Sequence, residues 1–346
     1  MLRHSEKHFL LFTLALAICA GGAIVVSMGM GYMKIGAGDV FRVIGAHLFG
    51  DPSLIEGLES TVPYVVMDVR LPRILTAALV GAGLAMSGVI YQGILLNPLA
   101  DPYTLGISSG AAFGASVALL ASVAGLGQFS TPLFAFAGAI ATLVIVMRLS
   151  TFNGQISPQT LILSGVIVGA ILSAGISFLK YLADEQVAVI IFWLMGSFAA
   201  STWSGVLMSG SIVLAGTIIT LYYSRDLNIM SLGRRCSDSL GVETARIRVT
   251  LLLVASLVTA VCVAVTGIIG FIGLIVPHLM RYLIGPDNRR LLPASILAGA
   301  ILLLLADTVT RAVLPVEVPI GVLTALIGGP FFCLIFRQKQ KGRSYD

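Results

Sequence analysis

Apolar runs of similar length, separated by short polar stretches, follow one another along this chain. A helix needs about 20 mostly apolar residues to cross the hydrocarbon of a bilayer. Runs of that order lie at 9 to 29, 73 to 95, 104 to 124, 131 to 149, 159 to 182, 203 to 223, 248 to 267, 291 to 313 and 319 to 336. A tenth run, 270 to 284, is shorter and is interrupted by Pro277, His278 and Arg281. The apolar stretch VAVIIFWLMGSFAA, 187 to 200, is only 14 residues long. The pattern predicts an all-α integral membrane protein of about ten transmembrane helices, with residues 1-346 forming one transmembrane domain.

Charge arbitrates the two short segments, because loops on the cytoplasmic side carry an excess of Lys and Arg. With ten spans and an inside N-terminus, only Lys34, Arg42, Arg70, Arg73, Lys180 and Arg311 fall outside, which leaves fifteen of the 21 basic residues inside. Counting 187 to 200 as a further span reverses everything after it and leaves 4 of the 21 inside. That segment is therefore expected to be interfacial or re-entrant on the outer side. Dropping 270 to 284 would put Arg289, Arg290 and the basic C-terminus outside, so it is kept as a short, broken span. The run from Phe9 follows a basic start that a signal peptide would share, but its length favours an uncleaved first helix. Both termini are then cytoplasmic.

Composition agrees: 57% of the residues are hydrophobic and 11% charged, against about 25% charged in soluble domains. The net charge of +5 belongs to the loops of a membrane protein and does not imply nucleic acid. Cys19, Cys236, Cys262 and Cys333 are scattered, as are the four histidines, so neither a disulfide framework nor a metal site is suggested. No Gly-x-x-x-x-Gly-Lys loop occurs, which excludes that route to ATP binding.

Two other classes remain as alternatives. GISSG, Gly106 to Gly110, formally matches a serine nucleophile elbow, but it opens a membrane helix rather than following a strand. An intramembrane serine protease would need that match. An ion-coupled secondary carrier would need carboxylates near the midplane. Here Asp307 lies toward the end of its run, and Asp101, Asp184, Glu185 and Glu317 lie at run ends or in loops.

The polar inside loop 225 to 248 repeats one triplet, Ser231-Leu232-Gly233 and Ser239-Leu240-Gly241. Ser can cap a short helix and Gly can end one, so two short helices along the surface are expected, offering a face to a partner. Gly106, Gly110 and Gly114 recur every four residues, and Gly81 pairs with Ala85 as Gly83 does with Ser87. Such small-residue faces predict close helix packing. Arg70, Arg73 and Arg311 run against the inside bias. They either snorkel, or pair with Asp68, Asp307 or Glu317, or receive a partner from outside.

Five ordered blocks carry a resemblance over nearly the whole chain after the first span: RLPRILTAALVGAGLAMSGVIYQGILLNPLADPYTLGISSGAAFG (70 to 114), WLMGSF (193 to 198), LGVETARIR (240 to 248), GFIGLIVPHLMRYLIGPDNRRLLP (270 to 293) and ADTVTR with EVPIGVLTALIGGPFF (306 to 332). They resemble the FecCD family, the permease subunits of ABC importers for iron-siderophore chelates, haem and cobalamin. The resemblance implies a type II importer permease bundle in a bacterial or archaeal cytoplasmic membrane, working as a homodimer. It implies two copies of a separate ATPase that binds ATP and Mg, an extracytoplasmic substrate-binding protein, and no cofactor in this chain. Residues 226 to 247 would be the coupling helices, with His278 and Arg281 beside them. Arg70, Arg73 and Arg311 would receive acidic residues of the binding protein. The sequence departs from the family pattern at Leu96, where many relatives have a basic residue before the Asn-Pro. Iron-siderophore is the expected cargo, with cobalamin or another corrinoid, haem and oxyanions such as molybdate as alternatives.

Overall fold

The computed structural model describes residues 2–31, 33–121, 130–152, 155–241, 243–314 and 316–343. Helix α1, Leu2–Gly29, leads to a short amphipathic helix α2, Ala37–Phe49. Helix α3, Thr61–Tyr64, passes through a π-helical turn, Val65–Arg70, into α4, Leu71–Ile94. After α5, Ile107–Ala121, and α6, Ser130–Ser150, strands Thr151–Phe152 (β1) and Gln155–Ile156 (β2) pair antiparallel. Then come α7 (Pro158–Leu182), α8 (Val187–Leu194) and α9 (Trp203–Tyr222). Two short helices, α10 (Ser224–Met230) and α11 (Arg234–Ser239), precede α12 (Thr244–Thr266), α13 (Ile272–Ile284), α14 (Asn288–Ala312) and α15 (Ile320–Arg343).

Among the described residues 7 helices are long and apolar enough to cross a membrane, and α5, α13 and the first part of α15 are shorter apolar helices. Together they coincide with the ten runs read from the sequence. The run expected at 104 to 124 ends in residues 122–124, which lie outside the described residues.

Helix α4 is the axis of the bundle, packed by α9, α12, α13 and α14. Its small side chains explain this position, since backbones approach where no Cβ intervenes. A Cβ on Gly81 would overlap the Gly299 carbonyl of α14. On the other side of the molecule α5 and α6 interlock in the same way, with Gly110 against Gly138 and Gly114 against the Phe134 carbonyl. Gly83 instead receives the side chains of Val213, Val258 and Cys262. Gly106 departs from the expected helical face: it lies ahead of α5 with φ at 73°, so it starts the helix rather than lining it.

Two features are not legible as runs. Helix α2 lies in a stretch that carries no span signal, and the helix containing α4 begins at Thr61 rather than 73. In the π-helical turn the Leu71 N–H reaches back to the Val66 carbonyl. Pro72, next in line, has no N–H to offer Met67. The Trp203 indole N–H supplies that bond, at 3.1 Å from the Met67 carbonyl.

Candidate functional site

Helices α1 and α14 run side by side in the same direction. Arg290, early in α14, lies over the Phe9 ring, and at the other end the Ser27 and Thr308 hydroxyls meet at 2.6 Å. The bundle therefore has a basic end, with α10, α11 and the start of α14, and an opposite end, with the C-terminus of α14.

At the opposite end the structure brings Arg70, Arg73 and Arg311 together but turns them inward. Arg73 Nη2 donates to Asp307 Oδ1 at 2.7 Å and to Glu317 Oε1 at 2.6 Å. Arg311 Nε stands 3.4 Å from Asp307 Oδ2, and its Nη2 donates to the Ser27 carbonyl at 2.6 Å. Arg70, 5% exposed, donates to the Met28 carbonyl at 2.6 Å and to that of Met33. These bonds are the internal pairing that the sequence offered beside docking, with Asp307 and Glu317 as the partners. A guanidinium within an apolar bundle is stable when its donors are met internally, and these carboxylates and the carbonyls at the end of α1 meet most of them, Arg311 Nε remaining in ion-pair range of Asp307 without a hydrogen bond. Asp68, the third candidate partner, is exposed. Asp307 is likewise locked between two arginines, which removes it as the mobile carboxylate of an ion-coupled carrier.

Midway through the bundle the backbone is irregular between α12 and α13. Gly267 has φ at 74° and lies so close to the Trp193 carbonyl that a Cβ there would overlap it. Phe271, with φ at 68°, precedes α13. Irregular backbone at membrane depth requires internal partners or a cavity, and this segment has both. Ser197 N–H donates to the Thr266 carbonyl at 2.8 Å, which docks the end of the α8 segment against the break. The Ile320 and Gly321 N–H groups of α15 donate to the Gly196 and Met195 carbonyls at 3.2 and 3.0 Å. Tyr103 OH donates to the Ile269 carbonyl at 2.6 Å. Against these three segments lies an open, largely apolar cavity of about 530 Å³, bordered by Leu194, Met195, Ile268, Gly270, Gly321 and Val322. Gly106 to Gly110 follows the Asp101 turn and no strand, so the elbow geometry of a serine hydrolase is absent there.

Below the break, α13 is bonded to α4 through Gln92. Pro277 leaves the Gly273 carbonyl without its helical donor, and Gln92 Nε2 approaches the Gly273 and Leu274 carbonyls at 3.3 and 3.4 Å. Gln92 Oε1 accepts from Arg281 Nη1 at 2.9 Å. Arg281, expected beside the coupling surface, turns its guanidinium to Gln92 of α4, and the next α4 residue, Gly93, packs against Leu227 of α10. His278, on the same helix, is half-buried.

At the basic end the two Ser-Leu-Gly triplets take the same form. Gly233 and Gly241 have φ at 94° and 76°, and each follows the end of a short helix. Leu232 and Leu240 are 65% and 60% exposed. The Ser231 hydroxyl donates back to the Asn228 carbonyl at 2.6 Å. Ser237 Oγ donates to the Ile229 carbonyl at 2.9 Å and ties α11 to α10. The two leucines thus lie exposed at the ends of a tied helix pair, with Ser239, also exposed, next to Leu240.

Asn228, Asp287 and Gln92 were not singled out in the sequence. The signal for Asp287 was Asp-Asn ahead of a long run, an N-cap pattern. Its carboxyl does cap α14, accepting from Arg289 N at 3.1 Å. The Arg289 guanidinium, aided by the Asn228 amide, holds the Asp287 carboxyl down at about 2. Among the described residues no group of three His, Cys, Asp or Glu could hold a metal ion.

The model of the FecCD transport family matches residues 16–338. The cobalamin import system permease protein BtuC of Halobacterium salinarum is 44% identical over 285 residues, covering 82% of this chain and 76% of that protein. The molybdate import system permease protein MolB of Haemophilus influenzae is 41% identical over 334 residues, 95% of each chain. A solved inward-facing structure of a metal-chelate type ABC transporter superposes with a TM-score of 0.81 at 36% identity, covering 96% of this chain and 99% of that one. The ten helices, the broken segment beside the cavity and the paired short helices are thus those of a transport permease rather than an enzyme, and the chain belongs to the FecCD transport family.

Proposed function

We infer that this chain is the membrane subunit of an ATP-driven importer, with its basic end in the cytoplasm, and that it carries a metal chelate, iron-siderophore first. Two copies form the path between them, each with the cavity at the 267–271 break facing the other. Two ATPase subunits dock on α10 and α11 through Leu232 and Leu240, and a substrate-binding protein delivers cargo at the opposite end. The family carries the substrate reading, and the open, largely apolar hollow at the break gives a path for a bulky chelate between two copies.

The test is uptake into proteoliposomes containing the permease with its cognate ATPase and binding protein. Radiolabelled ferric siderophore should accumulate on ATP addition, and Leu240→Asp should abolish accumulation while the permease stays folded. Accumulation of molybdate or cobalamin with no response to ferric siderophore would overturn the iron reading. Wild-type uptake by the Leu240→Asp variant would overturn the docking surface.

A further inference from the structure

Helix α10 has seven residues, too few to hold its place by its own hydrogen bonds. Leu227, fully buried, packs against Gly93 of α4. The neighbouring Asn228 uses both ends of its amide on α14. Its Nδ2 donates to Asp287 Oδ1 at 2.7 Å, and its Oδ1 accepts from the Asn288 backbone N–H and from Asn288 Nδ2, each at 2.8 Å. The first N–H groups of a helix have no partner within it, so a side chain 60 positions earlier supplies part of the N-terminal cap of α14. From that cap α14 runs 25 residues, about 37 Å, to Asp307 and Arg311 in the ionic cluster.

We propose that Asn228 is the positioning residue that fuses the coupling helix α10 to α14, so that displacement of α10 by a docked ATPase shifts α14 and reaches the opposite end of the bundle. This rests on the importer reading above. The chemistry at position 228 is restrictive. The site needs one donor aimed at a carboxylate and one acceptor aimed at two N–H donors, and an Asn amide offers both at this reach. Asp at 228 would keep the acceptor and face the Asp287 carboxylate; Ala would offer neither group. Exchanging the two residues, Asn228→Asp with Asp287→Asn, reverses the donor and acceptor between them. Asn288 keeps its acceptor, and α14 keeps a good N-cap residue.

The experiment uses the full complex of permease and ATPase in proteoliposomes, with the loaded binding protein added. ATP hydrolysis is measured with and without that protein, and uptake is measured in parallel. Asn228→Ala and Asn228→Asp should leave hydrolysis without binding protein near wild type, while stimulation and uptake fall at least ten-fold. The Asn228→Asp/Asp287→Asn pair should recover most of both. A role limited to folding would lower yield and melting temperature and would reduce both hydrolysis rates together. Wild-type uptake by assembled Asn228→Ala complexes overturns the proposal and leaves the importer reading intact, as does failure of the exchanged pair to recover stimulation in a folded complex. Failure of wild-type permease to bind the ATPase overturns the importer reading itself.

Discussion

Arg73 and Asp307, 234 residues apart in sequence, are bonded three times over, with Nη2 at 2.7 Å from Oδ1 and Nε at 3.1 Å from each carboxylate oxygen. The pair joins α4 to α14 on the far side of the Gly81–Gly299 contact from Asn288. Asp307 is 1% exposed and also neighbours Arg311.

Removing the carboxylate leaves two partly buried guanidiniums without a shared counter-charge, Arg73 keeping only Glu317. Breaking one partner of a buried pair costs about 3–5 kcal/mol, so Asp307→Ala should lower stability by that order. Arg73→Ala/Asp307→Ala should cost less than the sum of the single changes. Equilibrium unfolding in mixed SDS micelles measures both, and a single-site loss under about 1 kcal/mol would exclude the pair as a structural bond.

Gln92 sets up a second non-additive pair with Pro277. Gln92→Leu strips the donor from the Gly273 carbonyl and the acceptor from Arg281, at a cost of about 1–3 kcal/mol for each buried group left unmet. Pro277→Ala returns a backbone N–H that can serve Gly273. The double variant should therefore be more stable than Gln92→Leu alone, although Arg281 still lacks its acceptor. Thermal unfolding of the purified variants decides it, and equal melting temperatures for the two would refute the compensation.

Much of this architecture was legible in the sequence because a span is a local property: twenty apolar residues announce themselves wherever they pack. The triplet ending in Gly233 and its repeat ending in Gly241 were readable for the same reason, since helix termination is decided within a few residues. What stayed hidden was non-local. The sequence offered Asp307 and Glu317 to Arg73 only as one alternative among three, because which side chains meet is decided by distant packing, and Gln92 reads as one more residue near a span end until Pro277 leaves a carbonyl in front of it. Helix α2 escaped because thirteen mixed residues fall short of a span. The start at Thr61 escaped because Pro63, Asp68, Arg70 and Pro72 all look like a loop.

Glycine positions allow a controlled comparison of packing. Gly81→Ala would drive a methyl group into the Gly299 carbonyl, whereas a Cβ on Gly22, in α1, would meet nothing within 4 Å. Overpacking costs about 1–3 kcal/mol. Gly81→Ala should therefore lower the melting temperature of the purified permease, and Gly22→Ala should leave it unchanged or raise it. Equal effects would mean that α4 and α14 separate easily enough to admit the methyl.

Arg70 distinguishes an internal clasp from an external docking charge. Its guanidinium binds the Met28 and Met33 carbonyls, around the end of α1, and Arg311 binds those of Met30 and Ser27. The last carbonyls of a helix lack intrahelical donors, so these two arginines act together as the C-terminal cap of α1 and tie it to α4 and α14. Reversal to Glu replaces donors with a second buried carboxylate near Asp307 and should prevent α1 from seating, with loss of folded protein. Arg70→Lys keeps the charge but not the two-pronged geometry and should fold with a lowered melting temperature. Because the bonds are internal, raising salt from low to about 1 M, where the screening length falls to about 3 Å, should change the wild-type melting temperature little. The same salt series on association of the binding protein gives the contrasting readout. A folded Arg70→Glu permease of wild-type stability, with a slowed and salt-sensitive association, would return Arg70 to the outer surface and refute the clasp.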